Sequence, residues 1–420
     1  MKENMENTIE KSSWKSTFFT FWFSQLLSIL GSMLVQFTLV WWLTEQTGSA
    51  AVLATATLFG MLPELLIQPF AGAIVDRINR KTVIIVADSI IAAATLGLAV
   101  LFMLDSVQIW LIYAIMALRG IGGAFHFPAQ QASVAMMVPE KRLARIAGLN
   151  QATHGILNII SAPMGALVLE YLNIEGALFI DVITAVIAIG IVSFIAIPRQ
   201  EALVKNGKSW FATTLLDMRD GLKYLLNWKA LTVLTAIIFI FKIALVPAFS
   251  LIPLFVYQEL NGNAAQYSMT EVAAGIGLIL GGLILSVWGG FKKHIYTIIL
   301  GGFGVGIGII AIGFLPGGAI FWMVPVMFVI GLMIPLVDGP LMAVLQAKID
   351  HAYQGRVTTL FGTIGGLSGQ IGLAMAGGIT DALGLRVWFF AGGGLIILML
   401  LFGMTNKHLM RFDEGPGINI

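Results

Sequence analysis

Apolar stretches of about 20 residues follow one another along this sequence with only short polar breaks, and each is long enough to cross a bilayer core as one helix. Twelve can be drawn, at 17–44, 50–75, 82–104, 107–131, 144–170, 175–197, 230–258, 267–289, 295–315, 319–345, 356–380 and 386–405. Runs such as SIIAAATLGLAVLFML do not alternate apolar with polar, as the wall of a transmembrane barrel would, so the spans are helical. The polar remainder is too small for any other solution. Charged residues make up 11% of the chain, whereas a soluble domain carries roughly 25%. A hydrophobic share of 58% and a mean hydropathy of +0.91 exclude a water-soluble globule, a disordered chain and a collagen-like one. The absence of cysteine excludes a disulfide-rich secreted scaffold. The expected fold class is an all-α polytopic membrane protein.

Charge placement tests that reading. Lys and Arg collect on the cytoplasmic side of membrane proteins. With the N-terminus inside, 21 of the 24 basic residues fall in inner segments. Arg386 sits at an outer edge, and Arg119 and Lys242 fall inside spans. The first sixteen residues mix acids and bases without an apolar core, so no signal peptide is expected. Both termini are therefore expected in the cytoplasm.

The longest polar stretch, 198–229, divides the chain into an N-terminal six-helix bundle (1–197) and a C-terminal one (230–405), followed by a cytoplasmic tail (406–420). Within the stretch Trp210, Leu215, Leu216, Leu222, Leu225 and Leu226 recur at near-helical spacing beside Asp217, Arg219, Asp220 and Lys223. This predicts an amphipathic helix on the inner membrane surface that tethers the halves. The halves look like weak repeats. Arg145 and Arg356 lie 211 residues apart, and Arg80–Lys81 and Lys292–Lys293 lie 212 apart. Two such bundles, with substrate held near the midplane, form a known transporter plan.

The loop after the second span carries Gly72, Asp76, Arg77, Asn79, Arg80 and Lys81. It resembles the signature loop of the major facilitator superfamily: a Gly, three residues, Asp-Arg, two residues, then a basic pair. The family usually has Gly where Asn79 stands, and both residue types tolerate a left-handed turn. Arg119 followed by Gly120, Gly122 and Gly123 resembles the family's intramembrane Arg motif. Gly155, Pro163 and Gly165 resemble a relaxed form of its antiporter motif, with Ala162 in place of the usual Gly. The strings LTEQTGSA, MLPELLIQPFAGAIVDR, RGIGGAFHFPA and VPEKRLARIAG resemble the drug:proton antiporter branch that contains the macrolide efflux pumps. The resemblance implies the twelve-helix fold in two pseudo-symmetric bundles and alternating access. A gate is expected at Gly72, Asp76, Arg77, Arg80 and Lys81: the unpaired N–H groups and partial positive charge of a helix N-terminus would let Asp76 dock on the start of the eleventh span near Arg356.

Ionisable residues inside spans are costly and default to functional candidates. Exchanging protons near neutral pH requires a carboxylate that burial keeps partly protonated. Glu64, with no basic neighbour on its own span, is the first candidate and Asp88 the second; Arg119 would tune a neighbouring carboxylate. Asp181 reads as a hydrogen-bonded structural residue. The resemblance places spans 1, 4, 7 and 10 around the substrate cavity. Its candidate lining is Gln25, Gln36, Phe37, His126, Lys242 and Asp338, with Lys242 and Asp338 able to pair. Trp41 and Trp42 are expected in the outer aromatic belt.

Gly207-Lys208-Ser209 ends like a phosphate-binding loop, but Ala202 replaces the required Gly and no strand precedes it, so no ATP site is expected. No metal-ligand spacing, cofactor motif or catalytic constellation is present. The sequence thus points to proton-coupled efflux of an amphipathic drug-like compound, macrolide-type by resemblance. The expected partners are the substrate, protons and the lipid bilayer, without nucleic acid, in a monomer of a bacterial plasma membrane. The alternatives are a metabolite carrier of the same fold, for a siderophore for instance, and a non-transporting membrane receptor. A receptor would be expected to carry a longer soluble tail.

Overall fold

The structure is a computed structural model that describes residues 14–75, 77–198 and 210–415. Among these residues it is all helix and loop, without strands. The helices are α1 (Trp14–Thr47), α2 (Ala50–Val75), α3 (Arg80–Met103), α4 (Ile109–Met137), α5 (143–172), α6 (174–194), α7 (Trp210–Asn227), α8 (Lys229–Ser250), α9 (Ile252–Gln258), α10 (Ala264–Trp288), α11 (His294–Phe314), α12 (Ile320–Lys348), α13 (His351–Leu383) and α14 (Val387–Thr405). Helices α5 and α6 run together except at Asn173, whose φ of 56° breaks the ladder. Ten described stretches are long and apolar enough to span a membrane, one of them the joined α5–α6. Dividing that stretch at Asn173 and adding α13 gives twelve membrane helices. Helix α13 is the least apolar of them because Gly, Thr, Ser and Gln dominate its middle.

Three boundaries depart from the sequence expectation. The seventh span is two helices, α8 and α9, joined at Leu251. Pro253 explains the break, because it lacks an N–H and its ring clashes with the preceding turn. Helix α4 runs on to Met137, beyond the expected end at 131. Helix α13 begins at His351, so Arg356 lies inside the helix and not at its N-terminus. Asn79 is not left-handed either. At φ −63° it is the N-cap of α3, its side chain accepting from Lys81 N–H, which satisfies an otherwise orphan donor.

The described residues form two compact units. One holds α1 up to Leu39, α2 from Phe59, and α3–α6; the other holds Val40–Leu58 and α7–α14. In the first, Phe21, Ile84, Met137 and Val192 share one core cluster, and Phe18 packs with Val138 and Ile146 in another. In the second, close helix approach depends on small residues. A Cβ at Gly281 would run into the Leu332 backbone, and one at Gly331 into that of Ala274, so α10 and α12 meet backbone to backbone. Trp41 also belongs to this unit. It is 1% exposed and stacks on Tyr267 at 5.7 Å, which removes it from the expected lipid-facing belt.

The amphipathic helix α7 is part of the second unit. Tyr224 and Leu225 are buried, and the Tyr224 ring stacks on Tyr353 at 5.1 Å. Arg356 Nη1 reaches Asp220 Oδ2 at 3.5 Å. Leu216, Leu222 and Leu226 remain exposed. The helix therefore uses one face to dock and another for an apolar surround. The segment Leu409–Glu414 folds back on the same core. Phe412 stacks on Trp228 at 5.4 Å, and Asp413 Oδ1 accepts from His294 N–H at 2.9 Å. Asp413 thus caps α11 from a distant part of the chain.

Candidate functional site

In the first unit the intramembrane charges are arranged in two groups. Arg119 of α4 donates to Asp181 Oδ2 of α6 at 2.6 Å and to Thr95 Oγ1 of α3 at 2.5 Å. Ser32 of α1 donates to Asp181 Oδ1 at 3.1 Å, and Thr95 donates to Oδ2 at 3.0 Å. The carboxylate is 1% exposed, so its charge is met entirely by protein donors. Arg119 therefore serves Asp181, and not Glu64 or Asp88. The hydrogen-bonded role expected of Asp181 is present, and an ion pair accompanies it.

The second group is Asp88 and His126. His126 Nε2 stands 3.2 Å from Asp88 Oδ1, and Asp88 Oδ2 is buried without a hydrogen-bond partner. His126, expected on a cavity wall, faces α3 instead. Glu64 is half-buried over Gly123, where a Cβ would lie 3.7 Å from its carboxylate. Neither an ion pair nor a hydrogen bond engages the Glu64 carboxylate among the described residues.

Two other expected cavity residues lie elsewhere. Phe37 packs on Gly165 of α5, where any Cβ would press into its ring. Gln25 is wholly buried, and neither amide atom has a hydrogen-bond partner. Gln36 is exposed. Of the remaining antiporter-motif residues, Gly155 has open space beside it and Pro163 lies within the helix.

The first unit contains a cavity of about 360 Å³ between α1, α4 and α5. Phe21, Trp22 and Phe127 contribute rings; Gln130, Gln131, Asn150, Gln151, Thr153 and His154 contribute polar groups. The Trp22 indole N–H donates to Asn150 Oδ1 at 2.9 Å, which fixes both side chains. Sequence reasoning misses these amides. A signal is there: Gln130-Gln131 and Asn150-Gln151 are amide doublets on two neighbouring spans, and such groups are tolerated at membrane depth when they line a cavity.

In the second unit Lys242 of α8 and Asp338 of α12 line one cavity of about 190 Å³ with α11, α13 and α14. Its other walls are apolar, among them Ile238, Phe241, Leu341 and Phe361. The two charges share the space without an ion pair, because the stem of Lys242 lies along α13 beside Gly365.

The gate loop is partly described. Asp76 lies outside the described residues. Arg77 is exposed, and a Cβ at Gly72 would meet none of the described residues beyond its own helical turn. Arg80 meets the sulfur of Met136. Lys81 Nζ donates to the carbonyls of Ser193 at 2.7 Å and Ile195 at 3.0 Å. Lys81 thus neutralises the C-terminal end of α6, where carbonyls and the helix dipole favour a cation. Because α13 starts at His351, the expected docking point for Asp76 near Arg356 is not a helix N-terminus.

The family described as Major Facilitator Superfamily matches residues 21–373. Macrolide efflux protein A of Streptococcus pyogenes is 34% identical over 402 residues, covering 96% of this chain and 98% of the relative. Multidrug efflux pump Tap of Mycolicibacterium fortuitum is 25% identical over 406 residues, covering 93% and 95%. Among solved structures, a POT family transporter in complex with 5-aminolevulinic acid superposes with a TM-score of 0.73 at 12% identity, covering 92% of this chain and 94% of that one. The nucleoside transporter NupG gives 0.64 at 13% identity, covering 91% and 98%. At these identities the structural likeness speaks for the fold alone.

Proposed function

Because this chain belongs to the major facilitator superfamily, we propose that it exports an amphipathic, macrolide-type drug across a bacterial plasma membrane in exchange for protons. The observation that carries this reading is the near full-length identity to a macrolide efflux protein, which extends through both compact units. Two cavities support it, each combining apolar walls with a few polar groups, as amphipathic ligands require. Placing the basic loops in the cytoplasm puts both termini there.

Glu64 is the residue we assign to proton exchange. Asp181 is neutralised by Arg119, and Asp88 faces His126. Glu64 alone of these three can cycle between acid and carboxylate without making or breaking an ion pair. Proton release on one side and drug release on the other would then alternate as the membrane halves rock. The loop from Gly72 to Lys81, with Asp76, Arg77 and Arg80, is assigned to the cytoplasmic gate. Arg119 holds the bundle that carries Glu64, and Lys242 and Asp338 contribute the charged part of the substrate space.

A susceptibility panel in a pump-deleted bacterial host tests this reading. Expression should raise resistance to macrolides selectively, and a protonophore should abolish the effect. Unchanged susceptibility to every drug, with growth dependent on a nutrient or chelated metal, would replace the export reading with metabolite transport.

A further inference from the structure

The cavity between α1, α4 and α5 differs from the one around Lys242 and Asp338 in a way that identifies its ligand chemistry. Among the described residues, no Lys, Arg, Asp or Glu lines it. Its polar wall is built from carboxamides: Gln130, Gln131, Asn150 and Gln151, with His154 beside them. A carboxamide both donates and accepts, as a hydroxyl group does. An amide wall therefore matches a surface of neighbouring hydroxyls with no charge left over. An ion placed there would lose its hydration without gaining a counter-charge.

The lining also has aromatic rings, from Phe21, Trp22 and Phe127. The Trp22 ring is held in place by its bond to Asn150, so an apolar ring face stands beside a fixed amide. A sugar ring has the same division, with hydroxyls around its edge and C–H groups on its faces. The volume, about 360 Å³, lies at the small end of the roughly 300–1,000 Å³ typical of ligand sites, so it suits a headgroup and not a whole macrocycle. All the described lining residues belong to one compact unit.

We propose that this cavity binds the sugar portion of a neutral, glycosylated amphipath. The assignment rests on the export reading only for the source of the ligand; the binding chemistry rests on the lining. Three probes with one octyl tail separate headgroup chemistry from tail burial: octyl β-glucoside, octyl tetraethylene glycol and octyltrimethylammonium. Each is titrated below its micelle concentration into the full-length protein in lipid nanodiscs. The glucoside should bind at least about tenfold more tightly than the ammonium, since only the first can hydrogen-bond the carboxamides and the rings alone offer the ammonium a weaker hold. Gln131→Leu with Gln151→Leu, both at exposed positions where folding is not at stake, should weaken the glucoside about tenfold through the loss of two hydrogen bonds. The glycol should change less than about twofold. Equal affinity for all three probes, or glucoside binding indifferent to the double substitution, overturns the proposal.

Competition then identifies the source. Displacement of the glucoside by a macrolide whose sugar is neutral assigns the site to the drug, and displacement by monoglucosyl diacylglycerol in the disc assigns it to a lipid. Both support sugar recognition. Equal displacement by a macrolide and its sugar-free aglycone overturns it. Binding does not depend on transport, so absent export with intact glucoside selectivity rejects the export reading and leaves the site standing. Export without that selectivity does the reverse.

Discussion

Arg119 and Asp181, on α4 and α6, meet at 2.6 Å with the carboxylate 1% exposed. Thr95 and Ser32 bring α3 and α1 to the same carboxylate. One buried carboxylate therefore ties together four helices of the bundle.

Removing one member of this pair should be far worse than removing both. Arg119→Leu or Asp181→Leu alone leaves an uncompensated buried charge, which costs about 3–5 kcal/mol. The double variant should recover most of that loss. Thermal melts of the purified protein check this; additive losses would show that the two groups act independently.

Lys242 and Asp338 should behave differently. They face one cavity without an ion pair, so their coupling passes through space that a ligand can occupy. A double-substitution cycle with Lys242→Met and Asp338→Leu should give a coupling of about 1 kcal/mol or less in the absence of drug. A coupling as large as that of Arg119 and Asp181 would mean that they touch in the dominant state.

Glu64→Gln preserves shape and hydrogen-bonding capacity but cannot exchange a proton. In proteoliposomes, accumulation of drug driven by a pH gradient should fall at least about tenfold, the level of a step blocked by about 1.4 kcal/mol or more. Equilibrium drug binding should survive. If the variant still pumps against a gradient, Asp88 becomes the next carboxylate to test.

Asp413→Ala removes the cap from the first turn of α11 and uncouples Leu409–Glu414 from the core beneath it. The expected loss is about 1–2 kcal/mol, the usual range for an N-cap. Trp228 should become more accessible to aqueous quenchers as Phe412 leaves its stack. Unchanged quenching would show that the apolar contacts of Leu409 and Phe412 suffice without the cap.

The rough positions of the spans and their helical character are legible in the sequence. Spans are legible because a bilayer imposes a length and a polarity on each helix separately, so the signal is contained in about 20 consecutive residues. The glycines that bring α10 and α12 together show how far that goes. Their abundance suggests close packing, but the partner of each depends on which helix lies beside it.

The identity of partners is out of reach for the same reason. Arg119 lies 62 positions from Asp181, and Asp88 lies 38 positions from His126. Nothing local distinguishes these pairings from Arg119 with Glu64. Lys242 and Asp338, opposite in sign and both deep, suggest an ion pair, yet they line one cavity without forming one. The amide doublets on α4 and α5 become a site once α1 brings Trp22 against them. Likewise α7 has an apolar face that sequence alone would lay on the membrane, and only the position of Tyr353 shows part of that face docked on protein. What crosses the membrane can be read along the chain, because each helix meets the bilayer alone. Which polar groups meet emerges only when the helices pack, because the cost of burying a charge or an amide is set by the neighbours that surround it.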